Sequence, residues 1–291
     1  MVFEKKPVEV KNVWAHNLEY EIGRIKKFLR EGKYSFASID TEYPGIIYPI
    51  TDHFRDYPAQ ENYQYLKKNV DSLKLIQLGL TLAVSNSNFE SDTSKSLVWQ
   101  FNFQFDLERD QHAPESILFL KKQKIDFERL KVDGINHAKF ARVFLLESGL
   151  FSGDYNHHNH SYYPRGSNVT WVTFHGAYDF GFLIKLLKDE PLPDGPDQLK
   201  NFIKLIDSYF GERVYDIKYI MLFVTKIYGG LEKAGKVLGI FREVGDAHQA
   251  GSDSLLTWRT FLKLSEKFDG DSNEIELYNG VLFGLEDKTY E

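Results

Sequence analysis

Cysteine is absent from all 291 positions. That excludes disulfides, thiolate-held metals and a cysteine nucleophile, and it fits a reducing compartment. No window approaches the roughly 20 apolar residues of a membrane-spanning helix. The opening MVFEKKPVEV lacks an apolar core of signal-peptide length. The expectation is a soluble intracellular protein with no membrane partner. A surplus of positive charge is also missing: 36 Lys and Arg stand against 42 Asp and Glu, a net charge of −6. Blanket attraction to nucleic acid is thereby excluded, so phosphate binding falls to local patches or bound cations. Internal repeats and long linkers are lacking too. One α/β domain with a mixed sheet over 1–291 is expected.

What the chain does hold is a core. Hydrophobic residues make up 42% and aromatics 15%, ample for a domain of this size. Residues 17–32 read as a helix, with Asn17 as cap, an apolar face of Leu18, Ile22, Ile25 and Leu29, and Gly32 as stop. A strand follows from Tyr34 to about Thr41. Residues 46–72 read as loop and short helix. LKLIQLGLTLAV (73–84) and SLVWQFNFQF (96–105) add two strands, predicting an antiparallel meander of three. Helical patterning covers about 115–148. The polar stretch 151–168, FSGDYNHHNHSYYPRGSN, is expected to be a flexible loop insertion. His157, His158 and His160 within it read as part of that insertion rather than as a metal cluster, because no apolar scaffold fixes their rings. VTWVTF (169–174) is a fourth strand leading into a helix from Tyr178. Further helices are expected at about 198–210, 230–238 and 252–267, a short fifth strand or strand exit at 213–222, and a packed tail at YNGVLFGL.

Four acids stand at element ends in apolar surroundings. Asp40 and Glu42 end the first predicted strand in FASIDTEYPG, two residues apart and so on one face. Asp179 opens the helix after the fourth strand. Asp253 opens a late helix in HQAGSDSLL, five residues after His248. Each alone reads more simply as a turn acid, a helix N-terminal acid or a structural histidine. Together they would form a cage of hard oxygen ligands that repel one another when empty, which Mg²⁺ or Mn²⁺ would relieve. Two such ions suit in-line attack on a phosphodiester, with His248 to take a proton from water.

At these residues the chain resembles the DEDD exonucleases with a histidine five residues before the last Asp. It resembles most closely the Caf/Pop-type deadenylases, catalytic subunits of the Ccr–Not complex. FASIDTEYPG, NYQYLKKNVDSLKLIQLGLTL, TFHGAYDFGFLIKLL, VYDIKYIM, YGGLEKAGKVLGI and HQAGSDSLLT carry the resemblance, which runs from about 10 to 287. The wording of the last motif is closest to plant members. The resemblance implies a ribonuclease H-like fold and 3′→5′ hydrolysis of mRNA poly(A) tails releasing AMP. It puts Asp40, Glu42, Asp179 and Asp253 at metal-ligand positions for two divalent ions, and His248 at the general-base position. It also implies a Not scaffold subunit and a leucine-rich-repeat deadenylase as partners, and residence in nucleus and cytoplasm.

Two alternatives stay open: a mainly architectural subunit, and a related exonuclease with other substrates. Tyr43, His175 and Tyr178 are candidates for lining the terminal nucleotides of single-stranded RNA. Phe180 reads better as core. Departures from the family pattern are Ile39 for Met, Tyr43 for Phe, and Gly176-Ala177 for Ser-Gly. The hydroxyl lost at Gly176 is a candidate substrate contact.

Overall fold

The structure is a computed structural model describing residues 8–31, 34–49, 57–85, 95–156, 161–223, 227–268 and 272–286. Eight strands are present among them: β1 (Val10–Val13), β2 (Tyr34–Glu42), β3 (Gln77–Ser85), β4 (Lys95–Asn102), β5 (Gly153–Asn156), β6 (Ser161–Pro164), β7 (Thr170–Thr173) and β8 (Val214–Asp216). The helices are α1 (Leu18–Phe28), α2 (Ala59–Ser72), α3 (Pro114–Lys122), α4 (Phe127–Asp133), α5 (His137–Glu147), α6 (Ala177–Lys188), α7 (Gln198–Phe210), α8 (Ile217–Ile220), α9 (Leu231–Val237), α10 (Ala250–Ser265) and α11 (Ser272–Glu276).

Six strands form one mixed sheet in the order β1-β4-β3-β2-β7-β8. The expected antiparallel meander is β2-β3-β4. β1 joins β4, β7 joins β2 and β8 joins β7, all in parallel. Alternation of side chains decides which layer each strand residue serves. Ala37, Ile39, Leu78, Leu80, Leu82, Trp99, Phe101 and Trp171 share one core with apolar residues of α1, α2, α5, α6 and α7. Phe36, Ala83, Val172 and Tyr215 face the opposite layer, with Trp258, Phe261 and Leu264 of α10. Asp40 and Glu42 are in phase with Phe36 and Ser38, so they leave the strand on the α10 side.

Several elements depart from the sequence expectation. Asn17 sits at the cap of α1, but its Oδ1 accepts Trp14 N–H at 2.7 Å and its Nδ2 donates back to Asn12 C=O. The helical block 115–148 is three helices. Within 151–168 the described residues pair as an antiparallel hairpin, Gly153 opposite Pro164 and Asn156 opposite Ser161, so the stretch is not a plain loop. His157, His158 and His160 lie outside the described residues. The stretch 213–222 divides into β8 and α8. The strand β1 had no sequence signal, being four residues long with a non-local partner.

Candidate active site

The N-terminus of α10 lies directly on the sheet, and glycine makes this possible. Gly79 of β3 stands opposite Asp40, and a Cβ there would fall 1.8 Å from the Ala250 carbonyl oxygen. Ser38 Oγ donates to the Ser254 carbonyl at 2.9 Å, and Thr81 Oγ1 meets Ser254 Oγ at 2.9 Å. Gln100 of β4 accepts the Gly251 N–H at 3.0 Å, satisfying one orphan donor of the helix. These contacts fix Asp253, in the first turn of α10, over the strand end that carries Asp40 and Glu42. Ligand atoms of Glu42, His248 and Asp253 all lie within 4.8 Å of one another.

Asp179 arrives from the other layer, in the first turn of α6. One of its oxygens accepts Thr41 Oγ1, and the other accepts Thr173 Oγ1 at 3.1 Å. The strands on either side thus both hold this carboxylate. Gly176 belongs to the same arrangement: a Cβ there would lie 2.2 Å from Thr173 Cγ2 and 2.3 Å from Thr173 Oγ1. The departure at Gly176 therefore makes room for the hydroxyl that holds Asp179.

Both acid-bearing helices are entered through a histidine in the left-handed region, two residues before the helix begins. His175 has φ +63° and His248 φ +59°. A carboxylate takes each backbone N–H: Asp216 for His175 at 2.7 Å, Asp253 for His248 at 2.8 Å. Such a φ costs a non-glycine residue roughly 1 kcal/mol, offset here by charge-assisted bonds. Asp216 goes further. Its buried carboxylate also accepts N–H groups of Gly176, Lys218 and Phe283 at 3.1, 2.9 and 3.0 Å. It ties together the turn before α6, the start of α8 and the tail around Phe283. The expected packed tail is present, with Leu282, Phe283 and Leu285 buried.

The electrostatics follow from crowding acids in a recess. Burial first, then Asp253, Asp179 and Glu42 push the Asp40 carboxyl well above the usual range, with Arg242 opposing. Burial, then Asp253 and Asp179, push Glu42 up to about 8. Burial pushes Asp179 up to about 7 against its two hydroxyl donors. Asp253 is also raised by burial, although Arg242 and His248 N–H favour its charged form. Carboxyls held this far up are carboxylates lacking positive charge, which is what a hard divalent cation supplies.

Two clefts flank the cluster. One, of about 520 Å³, is lined by Asp40, Glu42, Phe119, Arg242, His248 and Asp253 among others. The other, of about 540 Å³, takes in Asp40, Tyr43, Tyr48, His175, Tyr178 and Asp179. Every candidate residue therefore borders one or both clefts. The histidine ring meets Phe119 edge-on at 4.7 Å. Tyr43 is not a free ring: it stacks on Tyr178 at 5.4 Å and packs on Phe182 at 4.9 Å. His175 packs edge-on against Phe283 at 5.0 Å, and burial lowers its pKa. Phe180 is fully buried and meets Phe210, as core.

Sequence reasoning missed Thr41, Thr173, Asp216 and Arg242. A signal existed for Asp216, an acid closing the apolar β8, but its partners lie in three distant segments. Arg242 carried none, since its acceptors appear only once α9 and α10 pack.

Known proteins share this fold and much of this sequence. The pattern of the CAF1 family ribonucleases matches residues 13–162. The probable CCR4-associated factor 1 homolog 7 of Arabidopsis thaliana is 41% identical over 281 residues, covering 96% of this chain and 94% of that relative. The poly(A) ribonuclease pop2 of Schizosaccharomyces pombe is 38% identical, covering 95% and 75%. The solved structure of S. pombe Pop2p in its Mg²⁺- and Mn²⁺-bound form superposes with a TM-score of 0.78 at 37% identity, covering 95% of this chain and 99% of that one. A yeast CAF1 solved with the NOT1 MIF4G domain superposes at 0.70 with 27% identity, over 97% of this chain and 100% of the matched one. The fold is the ribonuclease H-like arrangement that the resemblance implied. With the family pattern over half its length and the Arabidopsis relative matched almost end to end, the chain belongs to the CAF1 family of ribonucleases.

Proposed function

We propose that this chain is a divalent-metal-dependent 3′→5′ exoribonuclease that shortens mRNA poly(A) tails and releases AMP. The observation that carries the reading is the convergence of Asp40, Glu42, Asp179 and Asp253 with His248 between two clefts. The donor set is oxygen-rich and short of positive charge, and so fits Mg²⁺ or Mn²⁺. The four carboxylates would hold two such ions, in keeping with the metals bound to Pop2p. When bound, the ions supply acidification of water and stabilisation of charge on the leaving 3′-oxygen.

The protein's own groups do the rest. His248, an exposed residue lining the first cleft, offers a ring nitrogen to accept the proton of the attacking water. Thr41 and Thr173 hold Asp179 in one rotamer, so its oxygens need little reorganisation. The second cleft offers the rim of the Tyr43–Tyr178 stack and His175 to the terminal nucleotides. Preference for adenine rests on the poly(A) ribonuclease relative alone. The CAF1–NOT1 pairing in yeast supports a Not scaffold subunit as partner. A leucine-rich-repeat deadenylase as second partner, action as a single domain, and residence in both nucleus and cytoplasm complete the proposal.

The test is a gel assay on 5′-labelled RNA ending in a run of adenines, with Mn²⁺ or Mg²⁺ against EDTA. Wild-type protein should shorten the 3′ end with metal and stall at non-A sequence. Asp40→Ala should fold and leave the RNA intact. Equal shortening of oligo(U) and oligo(A) would point to a broader exonuclease. A folded but inert wild-type protein would favour an architectural subunit.

A further inference from the structure

Arg242, between α9 and α10, is tucked into the first cleft with its side chain 14% exposed. Its Nη2 donates to Asp253 Oδ1 at 2.6 Å and to Glu232 Oε2 of α9 at 2.9 Å. Its Nη1 donates to Ser252 Oγ and reaches the Asp246 carbonyl at 3.4 Å. The other oxygen of Asp253 already accepts the His248 N–H. Asp253 therefore has both oxygens engaged, one of them by a full positive charge. A divalent cation on Asp253 draws on the same lone pairs and is repelled by the guanidinium beside it. Glu232 is half exposed, and among the described residues its other ion pair is the long Lys236 contact of 4.0 Å. It offers Arg242 a second carboxylate within the reach it already spans.

We propose that Arg242 is a resident counter-ion that competes with a divalent cation for Asp253 and is relieved by Glu232, so that this three-residue relay sets the affinity of the site for metal. The inference rests on reading Asp253 as a metal ligand. It makes Arg242 a positioning residue, acting through Asp253 rather than on RNA. Two variants move the relay in opposite directions. Arg242→Gln removes the competing charge and keeps hydrogen-bonding capacity. Glu232→Gln weakens the second acceptor and leaves Arg242 on Asp253.

The experiment is calorimetric titration of the purified 291-residue chain with Mn²⁺ alone, beside thermal melts in EDTA. Arg242→Gln should bind Mn²⁺ about tenfold tighter or more, as expected when a unit charge leaves a carboxylate, and should melt lower in EDTA. Glu232→Gln should bind Mn²⁺ several-fold weaker, and Arg242→Lys should stay near wild type. Weaker or unchanged Mn²⁺ affinity in Arg242→Gln overturns the relay and makes Arg242 a plain orienting group for Asp253. If Arg242→Gln does not fold, Glu232→Gln decides, and unchanged affinity there overturns the proposal. Wild-type protein that binds no Mn²⁺ overturns the metal-site reading and this inference together, whereas wild-type binding that Asp253→Asn abolishes but the relay variants leave alone overturns only the latter.

Discussion

Restoring the family's serine at Gly176 should harm this chain. A Cβ there meets Thr173 within 2.2 Å, and Thr173 Oγ1 is one of the two hydroxyls on Asp179. Misplacing a group at a reacting centre by about 1 Å can cost about 100-fold in rate. Gly176→Ser should therefore lower kcat on oligo(A) by roughly 10- to 100-fold, and Gly176→Ser with Thr173→Ser should recover part of it. An unchanged kcat in the single variant would remove Thr173 from the account of Asp179. The five titratable candidates were legible because each stands at an element end where apolar patterning stops, a place where charge needs a reason. The groups that orient them were not. Thr41 and Thr173 look like ordinary β-formers, and Asp216 works through N–H groups of residues 175, 176, 218 and 283, which no local pattern joins.

Among the elements, α10 and β3 decide whether a site exists at all. Gly79→Ala places a methyl group 1.8 Å from the Ala250 carbonyl oxygen. Backbone cannot yield as a side chain can, so the helix must lift from the sheet. Overpacking usually costs about 1–3 kcal/mol, and a clash with backbone lies at or beyond the top of that range. Gly79→Ala should lower the stability seen in urea unfolding by about 3 kcal/mol and also weaken Mn²⁺ binding. A variant as stable as wild type would mean that the helix can approach from another angle. In sequence Gly79 is just a gap in LIQLGLTL. Strands β3 and β4 were legible from alternation, and β2 and β7 from their apolar runs. The short β1, β5 and β6 were not, because four residues such as VKNV or GDYN carry too little periodicity to outweigh their polar members.

Taken whole, the molecule carries acids that are easier to charge unfolded than folded. Glu42, pushed up to about 8, and Asp179, to about 7, bind their protons more tightly in the folded state than their ordinary values of 4.5 and 3.8 allow. The stability tied to them is fully present below those ordinary values and is lost as pH rises through the raised ones. In EDTA, Tm should fall from about pH 5 to about pH 8, between the ordinary carboxyl range and these raised values. Saturating Mn²⁺ should flatten that slope, and Glu42→Gln should reduce it. A flat profile in EDTA would mean that Arg242 and solvent already neutralise the cluster. The bond from Phe283 N–H to Asp216 has a consequence in time. Phe283 is added 67 residues after Asp216, roughly 3–13 s later at ordinary elongation rates of about 5–20 residues per second. Through that interval Asp216, which holds the turn before Asp179, lacks one of its four N–H donors. A ribonuclease built this way has all five candidate site residues synthesised before the last N–H donor of Asp216 exists, so their final arrangement waits on a residue that touches none of them.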